Sequence, residues 1–421
     1  MLKALPKTLF RRKFGSALIG ILFLLQPSSA CSSPEAGKFI DNGGYIVQDG
    51  TGRLKFREQD LFLPASTLKI LTCLVALEKL GRDYRFETHF FVDRNHNLFI
   101  KGFGDPFLTS EALLSIGKEL AKRGIKNIRT IFLDESSFAL NGEKAAEENS
   151  ANPYDAPNGA LVVNFNALPV HVRRNAPITS GEAKTPIIAL MKEAGVNLPP
   201  GMHHINIDTL ARKGQLAPSL RYCGQLFAVQ LQQAGINIEN GFSKGTVPLG
   251  LTPIYIHRGT KSLEEIVRAC LKYSNNYIAN QLFLACGVRA FGLPATWDKS
   301  RLVYALFAEE TLHLGPDQIL MREGSGLSRQ NRISPAALLA ILDLFRPYSD
   351  LLNRKGDVLL KSGTMKDVYC YVGYFVEQQV LTPFSILLNQ PENTRDRVLK
   401  VLHARLSANK ETARQTGNRL K

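Results

Sequence analysis

The chain has 421 residues, 44% of them apolar, which is ample for two or three packed cores. Its formal charge is +15, yet no nucleic-acid-binding motif accompanies it, and the eight His and six Cys residues show no metal-ligand spacing. Those features point away from nucleic acid, metal and cofactor, and they leave an anionic membrane surface or wall polymer as the natural counterpart of the charge.

The first thirty residues read as a signal peptide. Lys3, Lys7, Arg11, Arg12 and Lys13 make a basic start, and Phe14 to Leu25 form an apolar run too short for an ordinary membrane span. Ser28-Ser29-Ala30 then offers a small-residue cleavage site. Export to the periplasm or cell envelope is expected, with a mature charge of about +10 once the five basic residues are gone. Cleavage after Ala30 leaves Cys31 first, but Ser28 in place of a large aliphatic residue counts against a lipid anchor there. Arg11-Arg12-Lys13-Phe14 resembles a twin-arginine signal, while the strongly apolar core after it favours the general export route.

Further along, Tyr45 to Leu54 carries a hairpin signal around Asp49-Gly50. Phe62-Leu63-Pro64-Ala65 then leads extended chain to Ser66-Thr67-Leu68-Lys69. Leu68, Leu71, Leu74, Val75, Leu77 and Leu80 recur at helical spacing up to Gly81, a C-cap residue. Ser66 therefore opens a helix, where free N–H groups favour developing negative charge. Lys69 lies one turn on, so its amine reaches the Ser66 hydroxyl and, once desolvated, can take its proton. The same residues also read as an N-cap and a solvated charge. Ser-x-x-Lys recurs at Ser115…Lys118, inside the helical run Glu111 to Arg123, and at Ser407…Lys410 in a polar tail.

From Thr88 onward strand-like runs alternate with helix: Thr88 to Val92, Leu98 to Lys101, Ile128 to Leu133, Ala160 to Asn164 and Val170 to Arg173. This stretch predicts two small domains, over residues 85–254, inserted into a domain formed by 31–84 and 255–405. A basic polar tail at 406–421, disordered in its last dozen residues, closes the chain. Six cysteines in an exported chain can pair, but their spacing suggests no framework, and Cys73 on an apolar helix face reads as packing.

Two more strings follow. The helical run Leu263 to Leu271 leads to Ser274-Asn275-Asn276, where the serine can relay a proton and the Asn276 amide can hold a carbonyl. The other reading is helix punctuation, because Ser and Asn favour helix ends. Lys361-Ser362-Gly363-Thr364-Met365 precedes a strand-like run. A cation, two hydroxyls and a glycine on an extended segment suit a peptide ending in a carboxylate, and equally suit an edge strand guarded by a lysine.

In this order the three strings resemble the class C low-molecular-mass penicillin-binding proteins, the serine D-Ala-D-Ala carboxypeptidase/endopeptidase family. Lys101-Gly102-Phe103-Gly104-Asp105-Pro106, Leu133 to Phe138 and Gly324 to Asn331 match that family's pattern as well, from about Asn42 to about Leu388. Two departures stand out: Ser362 replaces the more usual threonine, and the stretch from Arg329 to Lys361 is short and lacks a Gly-rich loop.

The resemblance implies an α/β penicillin-binding/β-lactamase-like transpeptidase fold, an antiparallel sheet flanked by helices with two insertions between the first and second motifs. It implies Ser66, Lys69, Ser274, Asn276 and Lys361 as catalytic residues, with Ser362, Gly363, Thr364 and Met365 binding substrate. The amides of Ser66 and Met365 are the expected oxyanion donors. Asp134 and Arg329 would bracket the ammonium and carboxylate of a diaminopimelate side chain. Expected partners are peptidoglycan stem peptides, with β-lactams as covalent inhibitors. A β-lactamase or esterase on the same scaffold, and a non-catalytic wall-binding protein, are the competing readings.

Overall fold

The computed structural model describes residues 34–49, 52–143, 145 and 151–419, with side chains beyond 408 left undescribed. The signal segment and Cys31 lie outside them, as does the Gly50-Thr51 turn of the first hairpin.

A six-stranded antiparallel sheet organises the larger unit. Its order is Asn353–Lys355, Val358–Met365, Val368–Glu377, Val380–Leu388, Gly43–Asp49 and Gly52–Phe56. The long strands alternate in what they bury. Cys370, Val372 and Tyr374 face the main helical core, while Tyr371 and Phe375 face a second core on the other side. That is the period-two pattern of a sheet covered on both faces.

The main core is built round the helix Lys69–Leu80, in which every residue from Lys69 to Leu77 is buried. A helix buried on all sides needs cover all round, and Asn276–Phe291, Leu263–Tyr273 and Pro335–Phe345 supply it. Their ends are fixed locally. Ser262 and Glu265 form a capping box, Asn275 accepts the Ile278 N–H at 2.9 Å, and Ser334 caps ahead of Pro335.

The insertion carries a five-stranded sheet in the order Phe242–Lys244, Ile131–Asp134, Leu98–Gly102, Glu87–Val92 and Tyr255–Arg258. A three-stranded sheet, Thr179–Ser180, Ala167–Val172 and Gly201–Asn206, lies beside it. The expectation of two small domains meets one shared core: Phe90, Ile100 and Leu133 of the first sheet belong to the same cluster as Leu168 and Val170 of the second. Because Tyr255–Arg258 pairs with Glu87–Val92, the inserted sheet also extends past the expected boundary at 254.

Three further expectations are corrected. Ile128 to Leu133 is two short strands rather than one, Asn127–Ile128 and Ile131–Asp134. Ala160 to Asn164 forms no strand. It is buried and irregular, tied down by the Gly104 N–H donating to the Ala160 carbonyl, where a Cβ on Gly102 would sit 2.2 Å from that oxygen. The supposed tail is the end of a helix, Arg395–Arg419. It covers the outer face of the six-stranded sheet with Val398, Leu402 and Leu406. Apolar residues every four positions carried that signal beneath the basic ones.

Leu402 is fully buried between that helix and the sheet. Leu402→Ala should therefore cost about 2–5 kcal/mol in urea unfolding, the usual range for a leucine cavity. An unchanged midpoint would mean that the helix does not carry the sheet's outer face.

Candidate active site

The chain reaches Ser66 through a strained turn. Ala65 is buried with φ +45°, in the left-handed region, and opens a short 3₁₀ turn, Ala65–Leu68. Ser66 thus sits in that turn, three residues before the α-helix begins at Lys69. Gly326 holds the turn in place: at φ +82°, a Cβ there would lie 1.9 Å from the Ala65 carbonyl oxygen.

Lys69 is wholly buried. Its Nζ lies 2.8 Å from Ser66 Oγ, 2.7 Å from Asn276 Oδ1 and 2.7 Å from the Ser325 carbonyl. The last two groups can only accept, so they take two N–H bonds from the amine. Whatever remains of the nitrogen faces Ser66, an N–H when charged and a lone pair when neutral. Burial pulls this lysine down from its ordinary value to about 8, against the opposing fields of Cys270 and Glu323.

Ser274 sits in the left-handed region, φ +54°, at the break between two helices. That kink presents Ser274 and Asn276 side by side. Lys361 Nζ donates to Ser274 Oγ at 2.8 Å and to the Ser362 carbonyl at 2.7 Å. Burial and then the nearby Lys69 charge lower Lys361 to about 7.

The strand Val358–Met365 passes close to the serine. A Cβ on Gly363 would meet the Pro64 carbonyl oxygen at 2.7 Å and the Ser66 nitrogen at 3.1 Å, so only glycine lets the two backbones approach. On its outer side the strand pairs only through Val358 to Leu360, with Asn353–Lys355. Among the described strands, the edge from Lys361 to Met365 is open beside Ser66. A short hairpin around Gly356 stands where a Gly-rich loop was missed. Met365 ends the strand, half-buried.

Of the expected residues, Ser66, Lys69, Ser274, Asn276, Lys361 and Gly363 come together here. Arg329 is exposed near the strand's end, its Nη2 donating to the Lys366 carbonyl at 2.9 Å. Asp134 is placed otherwise. Its side chain is fully enclosed, accepting from the Ser136 and Val247 N–H groups at 2.8 and 2.9 Å, with Lys101 Nζ 3.6 Å away. Burial alone would raise this carboxyl, but those partners hold it below the usual carboxylate range. It staples the inserted sheet and does not open onto the cleft. The other two Ser-x-x-Lys copies are elsewhere: Ser115 is exposed on Ser110–Lys122, and Ser407 bonds Glu377.

Sequence reasoning missed Glu323, although the string after it was noticed. Its buried carboxylate accepts from the Ser325 N–H and hydroxyl at 2.7 and 2.6 Å, and from Ser328 and Asn331. Together with Asn280, which accepts the Gly324 N–H at 2.7 Å, it aims the Ser325 carbonyl at Lys69. An acid directly before a Gly-Ser-Gly turn was the available signal. A cavity of about 240 Å³ adjoins Asn276, with Glu143, Tyr154, Asp155, Asn280 and Leu327 in its wall. A larger one of about 670 Å³, lined in part by Arg85, Glu87, Phe103 and Arg289, includes none of the motif residues.

The family model for the D-Ala-D-Ala carboxypeptidase 3 (S13) family matches residues 41–195 and 209–353. The chain belongs to that family. It is a serine-type DD-peptidase of the penicillin-binding class. The D-alanyl-D-alanine carboxypeptidase of Actinomadura sp. (strain R39) is 26% identical, over 83% of this chain and 77% of the relative. The D-alanyl-D-alanine carboxypeptidase DacB of Haemophilus influenzae is also 26% identical, over 79% and 80%. Penicillin binding protein 4 (dacB) from H. influenzae has a similar fold in its crystal structure, with TM-score 0.70 at 20% identity over 86% of this chain and 93% of that one. The family match stops at residue 353, so the place of Lys361 in the site rests on the geometry above.

The two lowered lysines set a pH expectation. If neutral Lys69 is the base, acylation should rise with pH with a midpoint near 8, where its proton leaves. A stopped-flow profile of penicillin acylation with a midpoint near 10, the value of an ordinary lysine, would overturn that role.

Proposed function

We propose that this DD-peptidase forms an acyl-enzyme on Ser66, acting on the terminal D-Ala-D-Ala bond of peptidoglycan stem peptides and on D-Ala–diaminopimelate cross-links. The observation that carries this reading is the three-way bonding of the Lys69 amine, which leaves one position directed at the serine.

Neutral Lys69 takes the proton as Ser66 Oγ attacks the penultimate D-Ala carbonyl. The Ser66 amide receives the oxyanion together with an amide of the open strand edge, and strand alternation turns the Thr364 N–H to that edge and the expected Met365 N–H toward Val368. Collapse breaks the C–N bond, and Ser274, held by Lys361, relays to the leaving amine the proton that Lys69 took from Ser66. Water then attacks the ester, gives its proton to Lys69, and Lys69 returns it to Ser66 Oγ as the shortened peptide leaves. The Ser362 and Thr364 hydroxyls receive the terminal carboxylate, and the Asn276 amide can hold a substrate carbonyl.

β-Lactams enter the same route and stop at the ester. Glu323, whose field reaches Lys69, spends both oxygens on the Ser325–Asn331 loop and has none to spare for activating water. That favours a slow-deacylating peptidase over a β-lactamase. Ser66→Ala should lose the labelled-penicillin adduct and at least 10³-fold of D-Ala release while melting as the wild type does. An adduct that persists, or maps to Ser115 or Ser407, would refute the assignment.

The residue pattern at 1–30 supports action in the periplasm or cell envelope, and the remaining positive charge suits association with a membrane surface or wall polymer. Among the described residues no helix is long and apolar enough to cross a membrane.

For a diaminopimelate side chain, exposed Arg329 is free to meet the carboxylate. The acidic wall of the cavity beside Asn276 suits the ammonium better than enclosed Asp134 does. Arg329→Ala should therefore slow cleavage of diaminopimelate peptides about tenfold and leave penicillin acylation nearly unchanged. Asp134→Ala, by contrast, should impair both equally and lower the melting temperature. Peptide-selective loss in Asp134→Ala would restore its substrate role.

A further inference from the structure

Arg395 opens the C-terminal helix, and packing of that helix on the sheet brings it beneath the Lys361 strand. Its Nη1 donates to the Thr364 hydroxyl oxygen at 2.7 Å and to the Gly363 carbonyl at 3.0 Å. The guanidinium carbon lies 4.4 Å from the centroid of the Tyr371 ring, and Nε is buried with no hydrogen-bond partner. Tyr371 is the cross-strand neighbour of Ser362. Ser362, Thr364 and Arg395 therefore share the sheet face turned toward the terminal helix.

Two consequences follow. A hydroxyl that accepts from a guanidinium must aim its own proton elsewhere, so the exposed Thr364 hydroxyl is fixed as an outward donor. The second concerns charge. Lys361 spends its ammonium on Ser274 and the Ser362 carbonyl, and its burial brings deprotonation within reach of neutral pH. A guanidinium stays charged throughout that range. A carboxylate arriving beside Thr364 therefore meets a permanent cation, and it comes from a helix that begins 34 positions after Lys361.

We propose that Arg395 is a positioning residue for recognition of the substrate's terminal carboxylate, holding the Thr364 hydroxyl as a donor and supplying the fixed positive charge of that subsite. This rests on the DD-peptidase reading above. The competing role is a staple that fastens the terminal helix to the sheet, as the Lys355–Asp396 pair does next to it. A staple would affect every substrate alike.

The experiment compares kcat/KM of the full mature chain for a diacylated L-Lys-D-Ala-D-Ala peptide with that for the same peptide amidated at its C-terminus. Wild type should prefer the free carboxylate. In Arg395→Ala that preference should fall about 10- to 100-fold, the scale of a lost charge-assisted contact. Arg395→Lys, which keeps the charge but not the fork, should keep part of the preference, and it carries the test if the alanine variant does not fold. A folded variant with an unchanged carboxylate-to-amide ratio, or with equal losses on both peptides, overturns the proposal. A wild type that cleaves neither peptide and takes up no labelled penicillin overturns the functional reading itself, and this proposal with it.

Discussion

The site depends on one buried amine. Lys69 Nζ is held by a side chain from the Asn276–Phe291 helix, a backbone carbonyl from the Ser325 turn and the hydroxyl of Ser66. Ser66 belongs to the lysine's own segment but the other two partners do not, so the helix and the turn must both dock before the lysine has acceptors for its hydrogens. A buried ammonium without them would be far costlier than the fold could bear. Assembly of the core and assembly of the catalytic base are thus the same event. Gln281 extends the coupling to the insertion, because it donates to the Gly104 and Gly159 carbonyls from the helix that presents Asn276.

Backbone geometry does the rest. Ala65 and Ser274 are both non-glycine residues at positive φ, and both adjoin or belong to the reacting set. Such conformations cost about 1–3 kcal/mol each and persist only where packing over-determines them. Gly326 presses on the Ala65 carbonyl, and the Lys361 amine bonds the Ser274 hydroxyl. The strain places Ser66 at the open edge of a strand, where an extended peptide can add its own backbone.

How much of this could be read in the chain depended on distance along it. Ser66 and Lys69 stand one turn apart, so their contact followed from helix geometry. The hairpin at Tyr45 and the Gly81 cap were local too. Asn276 meets Lys69 across 207 positions, and only the order of the three strings pointed to it. Glu323 and Arg395 left weaker signals still, since each acts by touching a backbone or hydroxyl that other segments deliver. Asp134 is the opposite case. A carboxylate at a strand end looks available, and nothing in the sequence shows the Val247 N–H and Lys101 closing over it. The terminal helix was hidden by its basic residues, because charge masks a four-residue apolar repeat unless the sheet beneath it is already in view.

The two lysines also tie function to stability. Each has a folded-state value below the ordinary 10.5, about 8 for Lys69 and about 7 for Lys361, so between those values and 10.5 the unfolded chain binds more protons than the folded one. Their linkage makes the fold more stable as pH rises through that window, and as pH falls from 10.5 the gain is lost, wholly so below the folded values. Near neutrality the protein therefore holds its site away from the pH that suits its core best. Replacing either amine with an apolar chain would remove a desolvated charge, but it would also leave the Ser325 carbonyl and Asn276, or the Ser362 carbonyl and Ser274, unpaired in a dry pocket. The polar partners that make the lysines tolerable are also what makes them hard to remove. That reciprocity accounts for a core that keeps two amines where packing alone would prefer none.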